Sequence, residues 1–154
     1  MSSQVLSEQA LEAWKLFVVG HSALVGALNA DLVSGHGLTI NDYEVLLRLA
    51  QAPDRRMRRV DLAQSVLLTA SGITRLLDGL EREGYVGRAQ CESDRRVAYA
   101  VLTDAGGQKL REAAGTHLRG IQERFAERYS EEEIETLCDL LGRIGTDDGT
   151  ACEP

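Results

Sequence analysis

Between about Val60 and Thr103 the chain carries two helical patterns about three residues apart, then two strand-like runs around a charged turn. Few folds accept that order. The first pattern, VDLAQSV, leads through LLT into ASGITRLLDGLEREG. In the second, Ile73, Leu76, Leu77 and Leu80 recur at three- and four-residue steps and form one apolar edge. Thr69 is placed to cap this helix at its start, and Gly84 to end it. So short a connection is that of a helix-turn-helix. YVGRAQ and VAYAVLT then read as two strands about the turn at Asp94.

The flanks are helical. From about Ser7 to Val33, Trp14, Phe17, Val18, His21, Leu24, Val25, Leu28 and Leu32 trace a long amphipathic helix, ended by Ser34–Gly37. Thr39 caps a second helix, with Tyr43, Leu46, Leu47 and Ala50 buried and Pro53 as a stop. Thr103 caps a later helix that runs to about Tyr129, with Leu110, Ala114, His117, Leu118, Ile121 and Phe125 on one side. SEEEIETLCDLLGRI opens on a capping box, Ser130 to Glu133, and is read as burying Ile134, Leu137, Cys138, Leu141 and Ile144. The fold class is therefore mainly α with a small β-hairpin wing, a winged helix-turn-helix. Its divisions are an amino-terminal helix (1–38), the winged helix (39–103), carboxy-terminal helices (104–145) and a tail (146–154) expected to be disordered.

Composition narrows the function. No window approaches eighteen consecutive apolar residues, so no membrane span is expected. Cys91, Cys138 and Cys152 are few and scattered, which suits a reduced cytoplasmic setting better than a disulfide scaffold. The formal net charge of −7 argues against nucleic acid, but its distribution argues the other way. From Arg48 to Arg111 there are 12 Lys and Arg against 8 Asp and Glu, while the rest of the chain holds 5 against 16. Screening confines each field to about 10 Å, so a basic middle can attract a polyanion despite acidic ends.

With the apolar edge turned inward, Ser71, Thr74, Arg75 and Asp78 face out from the fourth helix. Small hydroxyls near Thr69 and Gly72 let the backbone approach a major groove, and Arg75 can read guanine through two hydrogen bonds. Arg95 and Arg96 stand side by side at the hairpin tip, with Arg88 on the incoming strand and Asp94 able to pair with one guanidinium. An arginine there suits the narrow minor groove. Arg55, Arg56, Arg58 and Arg59 add a basic run, of which Arg58 is taken as a phosphate contact. A polar helix edge or a solvated charged turn alone would be unremarkable. Together and in this order they favour double-stranded DNA.

DRRVAYAVLT carries the D-x-R-x-x-x-x-x-L-T pattern at Asp94, Arg96, Leu102 and Thr103, and DLAQSVLLTASGITRLLDGLEREGYVGR resembles the helix-turn-helix of the MarR family. The resemblance covers roughly Thr39 to Ile144. It implies a homodimeric transcription regulator, most often a repressor, whose first and last helices form the dimerisation region. It further implies a palindromic operator, read by two recognition helices with the wings in flanking minor grooves. Members of this family commonly release DNA when a small aromatic or phenolic molecule binds. Trp14, His21, Tyr43, Arg48 and His117 are the candidate contacts here, although aromatic and histidine side chains on apolar stripes are more often core. His36, between glycines, reads as surface. The family's peroxide sensors use a cysteine in the first long helix, and this helix has none.

No metal site or cofactor is expected, since His21, His36 and His117 lack partners at ligand spacing. No phosphate loop, nucleophile elbow or zinc-protease motif is present, so an enzyme is not expected. The rival reading is a winged-helix protein-interaction module without sequence-specific DNA binding. The polar, basic face, with no exposed aromatic anchor, speaks for DNA.

Overall fold

A computed structural model of the chain describes residues 6–66 and 70–145. In chain order the elements are α1 (Glu8–His36), α2 (Ile40–Gln51), β1 (Arg56–Arg58), α3 (Arg59–Ser65), α4 (Ala70–Arg82), β2 (Val86–Gln90), β3 (Ala98–Leu102), α5 (Asp104–Arg124) and α6 (Glu131–Gly142). The chain divides into two compact units, residues 1–117 and 118–154. The proposed Thr69 cap and the tail from 146 lie outside the described residues.

Capping chemistry sets the helix ends. Thr39 accepts from the Asp42 amide at 3.1 Å while the Asp42 carboxylate accepts from the Thr39 amide at 2.8 Å. Ser130 and Glu133 make the same reciprocal pair on α6. α1 runs on through Ser34, Gly35 and His36 and stops only at Gly37, which is left-handed at φ 67°. His36 is consequently no loop residue. It is half-buried, and its Nε2 lies 2.8 Å from Thr116 Oγ1. α5 ends at Arg124, sooner than the apolar pattern implied, because Ala126–Arg128 tightens into a 3₁₀ turn.

The sheet has three strands, not the two of a simple hairpin. β3 lies between β1 and β2, antiparallel to both, with Met57 opposite Ala100 and Arg88 also opposite Ala100 from the other side. The sequence RRMRR reads as a short extended piece, and Arg56, Met57 and Arg58 alternate exposed, half-buried, exposed; three residues are too few to announce a strand, and pairing with β3 makes β1 one. The core of the first unit gathers α1's end, α2, α3, α4, β3 and α5, centred on Leu32, Val45, Leu46, Leu49, Leu62 and Leu77. In α2 the buried stripe is Tyr43, Val45, Leu46 and Leu49, while Ala50 faces out.

Two apolar faces are left uncovered. On α1 only Leu28 and Leu32 are buried; Trp14 (63% exposed), Leu16, Phe17, Val18 and Val19 are open. α1 is also long and apolar enough, by length and composition, to cross a membrane. Length and composition are all it shares with a span, and Lys15 and His21 still interrupt its apolar run. In the second unit no residue of α6 is buried; Leu141 and Cys138 are exposed, and Ile144 beyond the helix is 66% exposed. Leu118, placed on the apolar side of α5, is likewise exposed.

Gly106 marks the tightest approach. A Cβ there would overlap the Tyr85 carbonyl oxygen and stand 2.8 Å from Leu102 Cδ1, whereas at Gly107 every neighbour is at ordinary contact distance. Gly106→Ala should destabilise the fold by about 3 kcal/mol or more, because backbone and not a flexible side chain must move. Gly107→Ala should be neutral or stabilise by up to about 1 kcal/mol. Urea denaturation of the two variants checks both signs.

Candidate nucleic-acid interface

α4 and the β2–β3 wing are positioned by different physics. Ile73, Leu77 and Leu80 are buried, so the helical period turns Ser71, Thr74 and Arg75 to solvent, with Gly72 and Asp78 half-buried beside them. Gly84, at φ 78°, reverses the chain from α4 into the wing. Thr103 closes the base: its amide donates to the Tyr85 carbonyl at 3.1 Å and its hydroxyl to the Gly84 carbonyl at 2.7 Å, while Gly106 N–H donates back to that hydroxyl. Thr103 thus caps α5 and ties wing to helix.

At the tip, Val97 N–H donates to Asp94 O and Arg96 N–H to the Asp94 carboxylate at 3.0 Å. Arg96 Nε stands 3.5 Å from the same carboxylate, with its side chain 95% exposed. Asp94 shapes the turn, as its place beside the two arginines suggested. Arg95 and Arg75 are exposed and make no ion pair among the described residues.

Arg88 is differently placed. Its Nε donates to both Glu81 carboxylate oxygens at 2.8 and 2.7 Å, and its Nη2 to Asp78 Oδ1 at 2.8 Å. Hydrogen bonding to Glu81, then the charges of Glu81 and Asp78, hold the guanidinium above its ordinary pKa. The basic run before α3 is likewise engaged within the chain. Arg55 bonds Asp104 at 3.0 Å, Arg56 lies 5.2 Å over the Tyr99 ring, and Arg58 forks onto Asp61 at 2.7 and 3.1 Å. Arg59 is half-buried.

The wing also holds something the sequence concealed. Cys91 Sγ lies 3.1 Å from Ser93 Oγ, and hydrogen bonds from the Ser93 hydroxyl and the Asp94 and Ser93 backbone lower the thiol's pKa. Those donors meet the sulfur only once the loop has turned.

Of the small-molecule candidates, the structure brings together Tyr43 and His117, whose ring centroids lie 4.5 Å apart with the planes tilted at 42°. Arg48 is exposed, 3.8 Å from Glu44, whose charge also acts on both rings. Trp14 and His21 instead flank Phe17 in an exposed ladder along α1, at 6.3 and 6.4 Å.

This order of elements recurs in known proteins. The MarR family profile matches residues 38–98. HTH-type transcriptional regulator MhqR of Bacillus subtilis is 31% identical over 134 residues, 85% of this chain and 90% of that protein. The chain belongs to the MarR family. Another relative, the B. subtilis HTH-type transcriptional repressor YetL, is 34% identical over 111 residues, 72% of this chain and 66% of YetL, just under two thirds of that protein's length. Among solved structures, the MarR family regulator AbsC of Streptomyces coelicolor superposes with a TM-score of 0.85 at 32% identity, covering 92% of this chain and 95% of AbsC. S. coelicolor Sco3205, a MarR family regulator solved in complex with DNA, gives 0.88 at 27% identity, covering 93% and 89%. The MarR fold therefore accounts for the third strand and the helical flanks together.

Burial lowers the pKa of His117, opposed by Glu44. The neutral ring contributes stability that is complete above the unfolded value of about 6.5 and is lost as pH falls toward the lower folded value. Urea midpoints should therefore drop between about pH 7 and pH 5 by more in the parent than in His117→Phe. A parent-minus-variant difference that stays flat over this range would exclude His117 as the source.

Proposed function

We propose that this MarR-family chain is a homodimeric repressor that binds a palindromic operator and lets it go when a small aromatic or phenolic molecule binds. The observation that carries the DNA reading is the union of two exposed cationic elements: Arg75 on the polar edge of α4, and Arg95 and Arg96 at the tip of a wing whose strand β2 is bonded to that helix. Arg75 would read a base edge in the major groove, with Ser71, Gly72 and Thr74 lining the approach. Arg95 and Arg96 would enter the minor groove, and Arg58 would meet phosphate by leaving Asp61. A cytoplasmic setting accords with that role. Sequence-specific DNA binding and the protein-interaction alternative separate in one experiment. The full chain is used to select duplexes from a random pool, alongside DNA from upstream of its own gene. Enrichment of an inverted repeat with half-sites about one helical turn apart supports the proposal, and failure to enrich any sequence overturns it. On the selected duplex, Arg75→Ala and Arg96→Ala should each lower affinity about tenfold or more, read by fluorescence anisotropy. Parent-like binding by both variants would refute these contacts.

The uncovered apolar faces of α1 and α6 support pairing with a second copy. Rows such as Trp14, Phe17 and Val18 cost free energy while wetted, and stable interfaces remove about 1,200–2,000 Å² from water. Sedimentation velocity in detergent-free buffer should give a dimer, and Phe17→Asp should shift it toward monomer with helicity retained. A single-chain parent, or one recovered only with membranes, would contradict this. The Tyr43–His117 ring pair is the support for an effector site, tested by thermal shift with phenolic compounds and by duplex release.

A further inference from the structure

We propose that Arg88 is a positioning residue: by gripping Asp78 and Glu81 it sets the spacing between wing and recognition helix at which the two meet a duplex. The inference rests on the DNA-binding reading above and reassigns one residue within it.

Three features carry it. The first is strand register. Side chains alternate along β2, and Val86, two residues before Arg88, is buried in the core, so Arg88 projects from the face of the strand turned to α4. The second is the partner set. Asp78 and Glu81 are three apart on α4 and so share one helix edge, and a planar guanidinium can serve both carboxylates at once where an ammonium cannot hold the same fork. All three bonds run from strand to helix, at 2.7 to 2.8 Å. The third is location. Thr103 fastens the base of the wing, and Arg88 braces β2 further out, beside a cleft of about 690 Å³ also lined by Arg75, Asp78, Glu81 and Arg82. Charge points the same way. The grip sets one cation against two carboxylates on an edge that also bears Arg75, shielding the duplex from negative charge that would otherwise repel it.

A phosphate contact and a brace make opposite forecasts. If Arg88 touches phosphate, Arg88→Ala lowers the slope of log affinity against log salt by about one, and Asp78→Ala with Glu81→Ala tightens binding by freeing a cation and removing two anions. If Arg88 is a brace, Arg88→Ala weakens the selected duplex about tenfold with the salt slope unchanged, and the double alanine variant also weakens it. The charge swap Arg88→Glu with Glu81→Arg should then restore much of the loss, which no phosphate contact would permit. A readout without DNA stands beside these. Amide hydrogen exchange at Gln90, Val97 and Ala98 should quicken in Arg88→Ala and slow again in the swap. Unchanged exchange, a lost unit of salt slope, or a swap as weak as the single variant each overturns the brace. A parent that selects no duplex overturns the DNA reading itself, and the brace's role in it.

Discussion

Leu77 has no accessible surface, and with Ile73 and Leu80 it holds α4 on the core shared by α2, α3 and the sheet. A helix has a single period, so burying those three commits Ser71, Thr74 and Arg75 to the opposite side. The wing is placed in turn by three constraints beyond α4: a left-handed glycine at Gly84, the Thr103 bonds at the base and the Arg88 grip farther out. Loss of the apolar edge would remove the reference against which every other functional group is aimed.

Charge is segregated more finely than the chain's −7 suggests. Four arginines of the basic middle are turned onto partners within the chain: Arg55 on Asp104, Arg56 on Tyr99, Arg58 on Asp61, Arg88 on Asp78 and Glu81. Arg75 and Arg95 are exposed and make no ion pair among the described residues, and Arg96 is almost wholly exposed. Exposed pairs contribute little to stability, about 0–1 kcal/mol each, so their main effect is to fix where guanidiniums stand. An arginine count along the chain supplies the sign of the local field; the pairing pattern decides which of them stay open to a partner.

The helical flanks raise a different issue. Trp14, Phe17 and Val18 follow the same three- and four-residue rhythm as Ile73, Leu77 and Leu80, yet one set is wetted and the other dry. Periodicity reports that a face avoids water and is silent about what covers it. That is why the stripes of α6 and the end of α5 were legible as apolar while their degree of cover was not: Ile134 and Leu137 are half-buried, Leu118, Cys138 and Leu141 exposed. A second copy of the chain is the occupant proposed for the wetted faces.

Local chemistry alone determined much here. Thr39 with Asp42 and Ser130 with Glu133 cap their helices because each pair lies within one turn, and Gly84 ends α4 because no side chain opposes its φ. The helix-turn-helix and the two wing strands came from spacing for the same reason. What needed the tertiary structure were contacts between residues distant in the chain or brought round by a turn. β1 exists only by pairing with β3, and His36 joins Thr116 across eighty positions. Cys91 finds its donors in a folded loop, and Arg88 faces carboxylates seven and ten residues back because two elements dock. A sequence encodes short-range bonds in its spacing, whereas long-range partners are selected by burial and docking, which are properties of the whole fold.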